Sequence, residues 1–227
     1  MQNKTAVLIF ANSTQQEIEN KEIRASFQLF EKLNSRVLRT VKRSGLPYFL
    51  ITEKEQTGNS FGEKFTFALQ QVFEQGFENV ISIGNDTPQL SLSHLKRTAR
   101  TLESNKMLLG PSRDGGFYLM GIHKSLFDKE QFLKLPWQTG RLARCVKRLI
   151  GKTSEKIQYL EVLKDIDTED DLFSILHIFK GITAQLRSLI LQIVEKASAE
   201  VFFKSPITIE IRFSLLFNKG SPSLLHF

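Results

Sequence analysis

The chain has one cysteine, Cys145, in 227 residues. An internal disulfide framework and a multi-cysteine zinc site are therefore excluded, and a reducing, cytoplasmic setting is the expectation. Cys145 sits in a basic helical stretch and reads as a small residue on a helix face. The four histidines, His94, His123, His177 and His226, show no metal-ligand spacing. Glycine (13) and proline (6) are too sparse for a low-complexity linker protein. No apolar run reaches the roughly 18 residues a membrane span needs. Met1 to Phe10 has a short apolar stretch without an A-x-A cleavage site, and reads as a buried first strand rather than a signal peptide. G-x-x-x-x-G-K-[ST] and a G-x-G-x-x-G after the first strand are missing, and the G-x-S-x-G match at Gly58–Gly62 (GNSFG) has its serine, Ser60, in a helix-opening capping box with Glu63. P-loop and dinucleotide-fingerprint readings fall with the missing motifs.

What is present is an ordinary globular composition with an uneven charge. Thirty-one basic residues face 24 acidic ones, for a net charge of +7. Between Ser91 and Lys152 there are 13 basic and 4 acidic residues, so the excess lies in the middle of the chain. A basic middle suits phosphate-bearing ligands, although solvated helix faces give the same pattern. It lacks the interleaved aromatics that bind single strands, so a nucleic-acid partner is not expected.

Strand and helix patterns alternate. Thr5–Ala11 is a continuous apolar run, as in a strand buried on both faces. Ile23, Phe27, Phe30, Leu33, Val37, Leu38 and Val41 recur at helical spacing. Tyr48–Ile51 and Val80–Ile83 read as strands, with a helix opened by a Ser60/Glu63 capping box between them. A helix over Leu92–Leu102, strands over Met107–Leu109 and Phe117–Ile122, a basic helix over Leu142–Ile150 and a last strand over Ile157–Val162 follow. This is an α/β pattern, a mostly parallel sheet with helices on both faces, occupying residues 1–177. Residues 178–227 read as an extension: an amphipathic helix from Leu176 to Ile193 with Gly181 as its weak point, then an alternating strand, Ile207–Phe213. Its apolar faces call for docking on the domain or a homodimer contact.

Ligands of such sheets sit outside the carboxyl ends of the strands. Three acidic groups fall there. Asp86 follows the strand ending at Ile83, Asp114 lies in the turn Gly110–Gly116, and Asp165 and Asp167 alternate before Thr168. Carboxylates in such positions suit Mg²⁺ or Mn²⁺ beside a diphosphate. They equally suit plain structural work, Asp86 and Asp114 as turn formers and Thr168 with Asp171 as a helix cap.

Beyond these readings, Gln56 to Leu172 resembles the rSAM/selenodomain-associated transferase 1 family. The matching blocks stand in family order: Gln56–Phe65 (QTGNSFGEKF), Ile83–Pro88 (IGNDTP), Gly110–Gly121 (GPSRDGGFYLMG), Leu126-Phe127 with Pro136–Thr139 (PWQT), and Asp165–Leu172 (DIDTEDDL). The resemblance implies a GT-A-like nucleotide-diphospho-sugar transferase fold and a site for a nucleotide diphosphate, a divalent metal and an unknown acceptor. Carried over by position, Asp86, Asp165 and Asp167 would hold the metal, and Asp86 and Asp114 would be the catalytic pair. Asp114, Gly115 and Gly116 would line the sugar or acceptor side with Arg113, Trp137 and Thr139 nearby. Gln56, Gly58 and Gly62 would lie under the nucleotide.

One block departs from the family. Its first strand is followed by P-x-x-G-x-x-K-T-R-L, whose cations would grip phosphates; here Asn12–Asn20 reads NSTQQEIEN, without glycine or basic residue. Each lost charge-assisted contact is worth roughly 1.5–3 kcal/mol. Lys21 and Arg24 at the helix start, or Arg113 in the opposite loop, are the candidate replacements, and spacing alone places none of them. Two functions follow: a metal-dependent glycosyl or nucleotidyl transferase acting on an NDP-sugar or similar substrate, or a degenerate, non-catalytic protein that binds a nucleotide or a partner protein.

Overall fold

The computed structural model describes residues 4–21, 23, 26–104, 106–150, 157–178 and 183–204. Six strands, β1 (Thr5–Phe10), β2 (Tyr48–Ile51), β3 (Asn79–Ile83), β4 (Met107–Pro111), β5 (Phe117–His123) and β6 (Ile157–Tyr159), form one sheet in the order β2-β1-β3-β5-β4-β6. β5 runs antiparallel to both of its neighbours, and every other pairing is parallel. The helices are α1 (Thr14–Asn20), α2 (Phe27–Ser44), α3 (Phe61–Glu74), α4 (Leu92–Leu102), α5 (Lys129–Leu133), α6 (Leu142–Ile150), α7 (Glu169–Ile178) and α8 (Ala184–Lys204).

The sheet is covered on both faces because its strands are apolar on both. In β1, Ala6 and Leu8 point to one side and pack with Phe65, Leu69, Phe132 and Val146 of α3, α5 and α6. Val7 and Ile9 point to the other side and pack with Val41, Leu95 and Leu102 of α2 and α4. Successive side chains on a strand face opposite ways, so an unbroken apolar run requires two covers. Crossing from β4 back through β5 leaves β1, β3 and β4 parallel, with their carboxyl ends on one edge. That edge carries Asn12, Asp86 and Asp114 in the loops just beyond the strands.

A third core joins the amino-terminal half of α2 to α7 and α8, where Leu29, Phe30 and Leu33 meet Leu172, Ile175, Leu186 and Ile190. Here the structure corrects the sequence reading. The pattern over Leu176–Ile193 belongs to two helices, α7 and α8, which are separate elements on either side of Gly181. The α8 face built by Leu186, Ile190 and Ile193 is spent on the domain rather than left for a dimer. The strand expected over Ile207–Phe213 lies outside the described residues. The long helix begins at Phe27 instead of Ile23, and a short helix, α1, precedes it. The last strand stops at Tyr159, after which Ser112 and Leu163 make one further parallel bridge. None of the described helices is long and apolar enough to cross a membrane.

Candidate functional site

The site begins with the loop after β1. Ser13 caps α1, its hydroxyl accepting from the Gln16 N–H, and the Glu53 carboxylate accepts both the N–H and the hydroxyl of Ser13. α1 carries Glu17 on its inner face and ends at Lys21, whose N–H donates to the Glu17 carbonyl. The Lys21 side chain, only 11% exposed, thereby reaches the sheet edge. Its ammonium lies 2.8 Å from Asp86 Oδ2, 3.0 Å from Asp167 Oδ1 and 2.6 Å from the Ile166 carbonyl oxygen. An ammonium has three N–H donors, and these three oxygens match them. Burial works against the charge of Lys21, but the Asp86 and Glu17 carboxylates outweigh it and raise its pKa.

Backbone contacts set the opposite wall. Leu163 N–H donates to Pro111, Arg113 N–H to Leu163, and Ile166 N–H to Asp86, so residues 163–166 run across the edge of β4 and β3. Asp165 is thereby brought to the Thr87 hydroxyl, which donates to its carboxylate. Burial, and then the Asp86 and Asp114 carboxylates, push the Asp165 pKa up to about 7. Asp114 accepts from the Ser112 hydroxyl and the Gly116 N–H, a turn-forming role that it holds at the rim. Asn85 is buried and donates to the Asn12 carbonyl and to Asn34.

Between these walls is a cavity of about 350 Å³. Its floor is aromatic. Phe10, Phe61 and Phe65 pack edge-on or stacked, and Trp137 lies 5.0 Å from Phe65, centroid to centroid. Its polar rim is Gln56, Glu17, Asn85, Asp86, Asp114 and Asp165, with Gly116 and Gln138 beside them. Carboxylates at hydrogen-bonding reach of an aromatic floor can orient hydroxyl groups over a flat ring or sugar face.

The cavity thus gathers Gln56, Asp86, Asp114, Asp165, Gly116 and Trp137 from the sequence-expected set. Gly58, Gly62, Arg113, Gly115, Thr139 and Asp167 do not line it. Their surroundings explain the difference. Gly62 is where the Trp137 indole lies against α3, its missing Cβ being 2.4 Å from Trp137 Cδ1. Gly58 has a positive φ of 126° and precedes the α3 cap. Thr139 is exposed and donates to the Pro136 carbonyl, closing a turn. Gly115, also at positive φ, abuts Gly140, and the Arg113 residue is exposed. Asp167 is 54% exposed and meets the site only through Lys21. No lysine or arginine of the basic middle lines the cavity either. That charge excess belongs to other surfaces.

Sequence reasoning missed Glu17 and the aromatic pair Phe61 and Phe65. Glu17 had a signal: Ser13 followed three residues later by Gln16 is a helix-start pattern. Glu17 is only 3% exposed, and its Oε2 makes no hydrogen bond, the Lys21 ammonium being 3.5 Å away. Burial raises its pKa, with Lys21 opposing and Asp86 adding to the rise.

The fold implies a divalent metal beside these carboxylates. Among the described residues, no group of three or more His, Cys, Asp or Glu side chains is arranged to hold one. Lys21 stands against one as well. An ion roughly 2.0–2.6 Å from Asp86 Oδ2 would stand within about 5 Å of the ammonium. At the effective dielectric of a partly buried site, that repulsion is on the order of 6 kcal/mol. The set, as it stands, does not fit the ion.

With the geometry in view, comparisons with known proteins fix the fold. A proposed nucleotide-diphospho-sugar transferase from Desulfovibrio desulfuricans G20 superposes at a TM-score of 0.70, with 18% identity, over 88% of this chain and 98% of that one. The fold is of the GT-A and nucleotidyltransferase type. Rv0371c of Mycobacterium tuberculosis H37Rv matches at a TM-score of 0.53 and 13% identity, covering 77% of this chain and 98% of its own. The 4-diphosphocytidyl-2C-methyl-D-erythritol synthase of Anaerococcus prevotii DSM 20548 matches at 0.51 and 14%, over 75% and 95%. Rv0371c has also been crystallised with manganese, in a structure whose TM-score to this chain is 0.41. A family model described as an uncharacterized protein conserved in bacteria, DUF2064, matches residues 49–139. That stretch holds Gln56, Asp86, Asp114 and Trp137, and it excludes α1, Lys21, Asp165 and Asp167. No curated protein matches the sequence.

Proposed function

We propose that this chain binds a nucleotide-activated sugar, or a nucleotide of that kind, in the cavity at the carboxyl edge of the sheet, as a glycosyl or nucleotidyl transferase. One observation carries the reading: Asp86, Asp114 and Asp165 converge above an aromatic floor where the parallel strands end. The motif blocks shared with the rSAM/selenodomain-associated transferases support it, as does the fold. In this reading Trp137, Phe61 and Phe65 supply the flat apolar surface for a base or sugar ring. Gln56 and Asn85 offer hydrogen bonds beside it. Asp114 is placed at the rim, where an acceptor hydroxyl would give up its proton, and Asp86 orients the groups around the departing phosphate. The Lys21 ammonium already stands against Asp86 and Asp167.

The second reading, a non-catalytic nucleotide binder, is favoured by a different observation. No lysine or arginine among the described residues lines the cavity. A diphosphate would meet carboxylates without a free cation, which suits retention of a nucleoside or sugar better than phosphate chemistry.

Trp137 is the sole tryptophan and lies in the cavity wall, so its emission reports occupancy. Titration with UDP-glucose, GDP-mannose and CTP, each with and without Mn²⁺, is expected to give a saturable change for at least one. A flat response across the series, with no rise in melting temperature, overturns both readings. Release of product separates the transferase from the binder.

A further inference from the structure

We propose that Lys21 is a tethered cation standing in for the divalent metal of this fold, so that the site works metal-free and takes a divalent ion only once Lys21 is removed. The proposal deepens the reading of the cavity given above and rests on it for what the site is for; the ion chemistry itself follows from the oxygens around one nitrogen.

Two carboxylates from distant segments, Asp86 after β3 and Asp167 before α7, both reach the Lys21 ammonium, together with the Ile166 carbonyl. Carboxylates drawn from separate loops repel one another unless a cation holds them. Here the chain supplies that cation itself. Lys21 is not a wandering surface side chain. Its stem is buried, its ammonium passes 5.9 Å from the Phe30 ring, and its backbone is fixed at the end of α1. α1 in turn is fixed at its start by Ser13 and Glu53. The segment after β1 has no glycine or basic residue; most of it is the helix α1, which delivers Lys21 to the sheet edge.

Glu17 is the independent sign that this place is built for a cation. Its Oε2 is buried, aimed at the ammonium from 3.5 Å and without a hydrogen bond. Take the ammonium away, and Glu17, Asp86, Asp167 and the Ile166 carbonyl are four hard oxygens around a gap the size of the lost group. They stand 2.6–3.5 Å from the nitrogen, too far apart as they are to hold an ion, and would have to close to roughly 2.0–2.2 Å to take Mg²⁺ or Mn²⁺ in its place. Lys21 thus both satisfies the acidic set and keeps it from metal. With its donors taken by protein oxygens, the ammonium does not itself grip a phosphate, so ligand recognition passes to the aromatic floor and the amide rim.

The test uses MnCl₂ alone, titrated by calorimetry into the full chain and into Lys21→Ala and Lys21→Met, with free Mn²⁺ counted by electron paramagnetic resonance. The wild type is expected to show no saturable site tighter than about 1 mM, the weak end of carboxylate ion binding. Each variant is expected to gain one site, at least about tenfold tighter, from the uncovered oxygens. Lys21→Met keeps the buried stem and guards against loss of packing. Saturable Mn²⁺ binding to the wild type below that limit overturns the proposal, and so do folded variants that bind no tighter than the wild type. Should neither variant fold, the wild-type titration alone decides in the same terms. Because no nucleotide is present, failure here leaves the Trp137 titrations untouched. A failed nucleotide titration likewise leaves this result standing.

Discussion

Glu53 accepts two hydrogen bonds from Ser13, one from its N–H and one from its hydroxyl, each 2.7 Å long. A carboxylate from the loop after β2 thus occupies the start of α1, where nucleotide-binding folds commonly keep backbone N–H groups for phosphate. The site's own anion sits there, as its own cation sits at Asp86.

Removing that anion should loosen α1. Glu53→Ala is expected to cost about 1–2 kcal/mol at neutral pH, the scale of losing a charged cap. Burial works against the Glu53 charge, but the Ser13 hydrogen bonds win and hold its pKa below the ordinary value. A lowered folded pKa means stability that is fully present above the unfolded pKa and lost as pH falls through the folded one. Urea unfolding should therefore separate wild type from Glu53→Ala at pH 7, and the gap should close as the pH falls through the lowered folded pKa of Glu53. A gap that stays open would be evidence against the anchor.

Asp86 answers Lys21, so Asp86→Asn should destabilise. Asp86 is 27% exposed, and the pair keeps some water, so the expected loss is about 1–3 kcal/mol rather than the full cost of a buried pair. A double-mutant cycle with Lys21→Met should return a coupling of at least about 1 kcal/mol. Additive effects would show that the 2.8 Å contact carries no energy.

Gly62 is a packing position. A methyl group there would meet the Trp137 indole, with the built Cβ 2.4 Å from Cδ1. Gly62→Ala should cost about 1–3 kcal/mol through overpacking. The displaced indole should also shift its emission maximum, read directly because no second tryptophan interferes. Unchanged emission and stability would return Gly62 to the nucleotide-side role that the motif suggests.

Ile190 reports whether α8 belongs to the domain. Its side chain is fully buried in the core shared with α2 and α7. Ile190→Ala should lower stability by about 2–4 kcal/mol in a single cooperative transition. A separate, early transition would mean that α8 unfolds alone.

The strands and most helices were legible because their signals are local. The apolar run of β1, the three- and four-residue spacing of α2 and the Ser60/Glu63 box at α3 each follow from a few neighbouring residues. The reversal of β5 within the sheet was not legible, since pairing direction is set by how the chain returns and not by the strand's own residues. Asp86, Asp114 and Asp165 could be located because they follow strand ends. The place of Lys21 could not be: its partners lie far along the chain, and only the folded sheet edge brings them together. Gly62 and Thr139 sat in matching motif blocks for reasons of packing and turn geometry, which a motif does not distinguish from ligand contact.

The bond from Lys21 to Asp86 spans 65 residues and the one to Ile166 spans 145. Contacts of such separation cannot form until the intervening chain is in place, because loop closure must come first. The ion pairs around Lys21 are therefore expected to form late in folding, after β3 is paired and the segment after β6 has crossed the sheet edge. Interactions made after the barrier leave the folding rate nearly unchanged and slow the opening of the native state. Lys21 in this sense is a latch: Lys21→Met is expected to leave the folding rate nearly unchanged and to speed unfolding, which stopped-flow unfolding in urea would read.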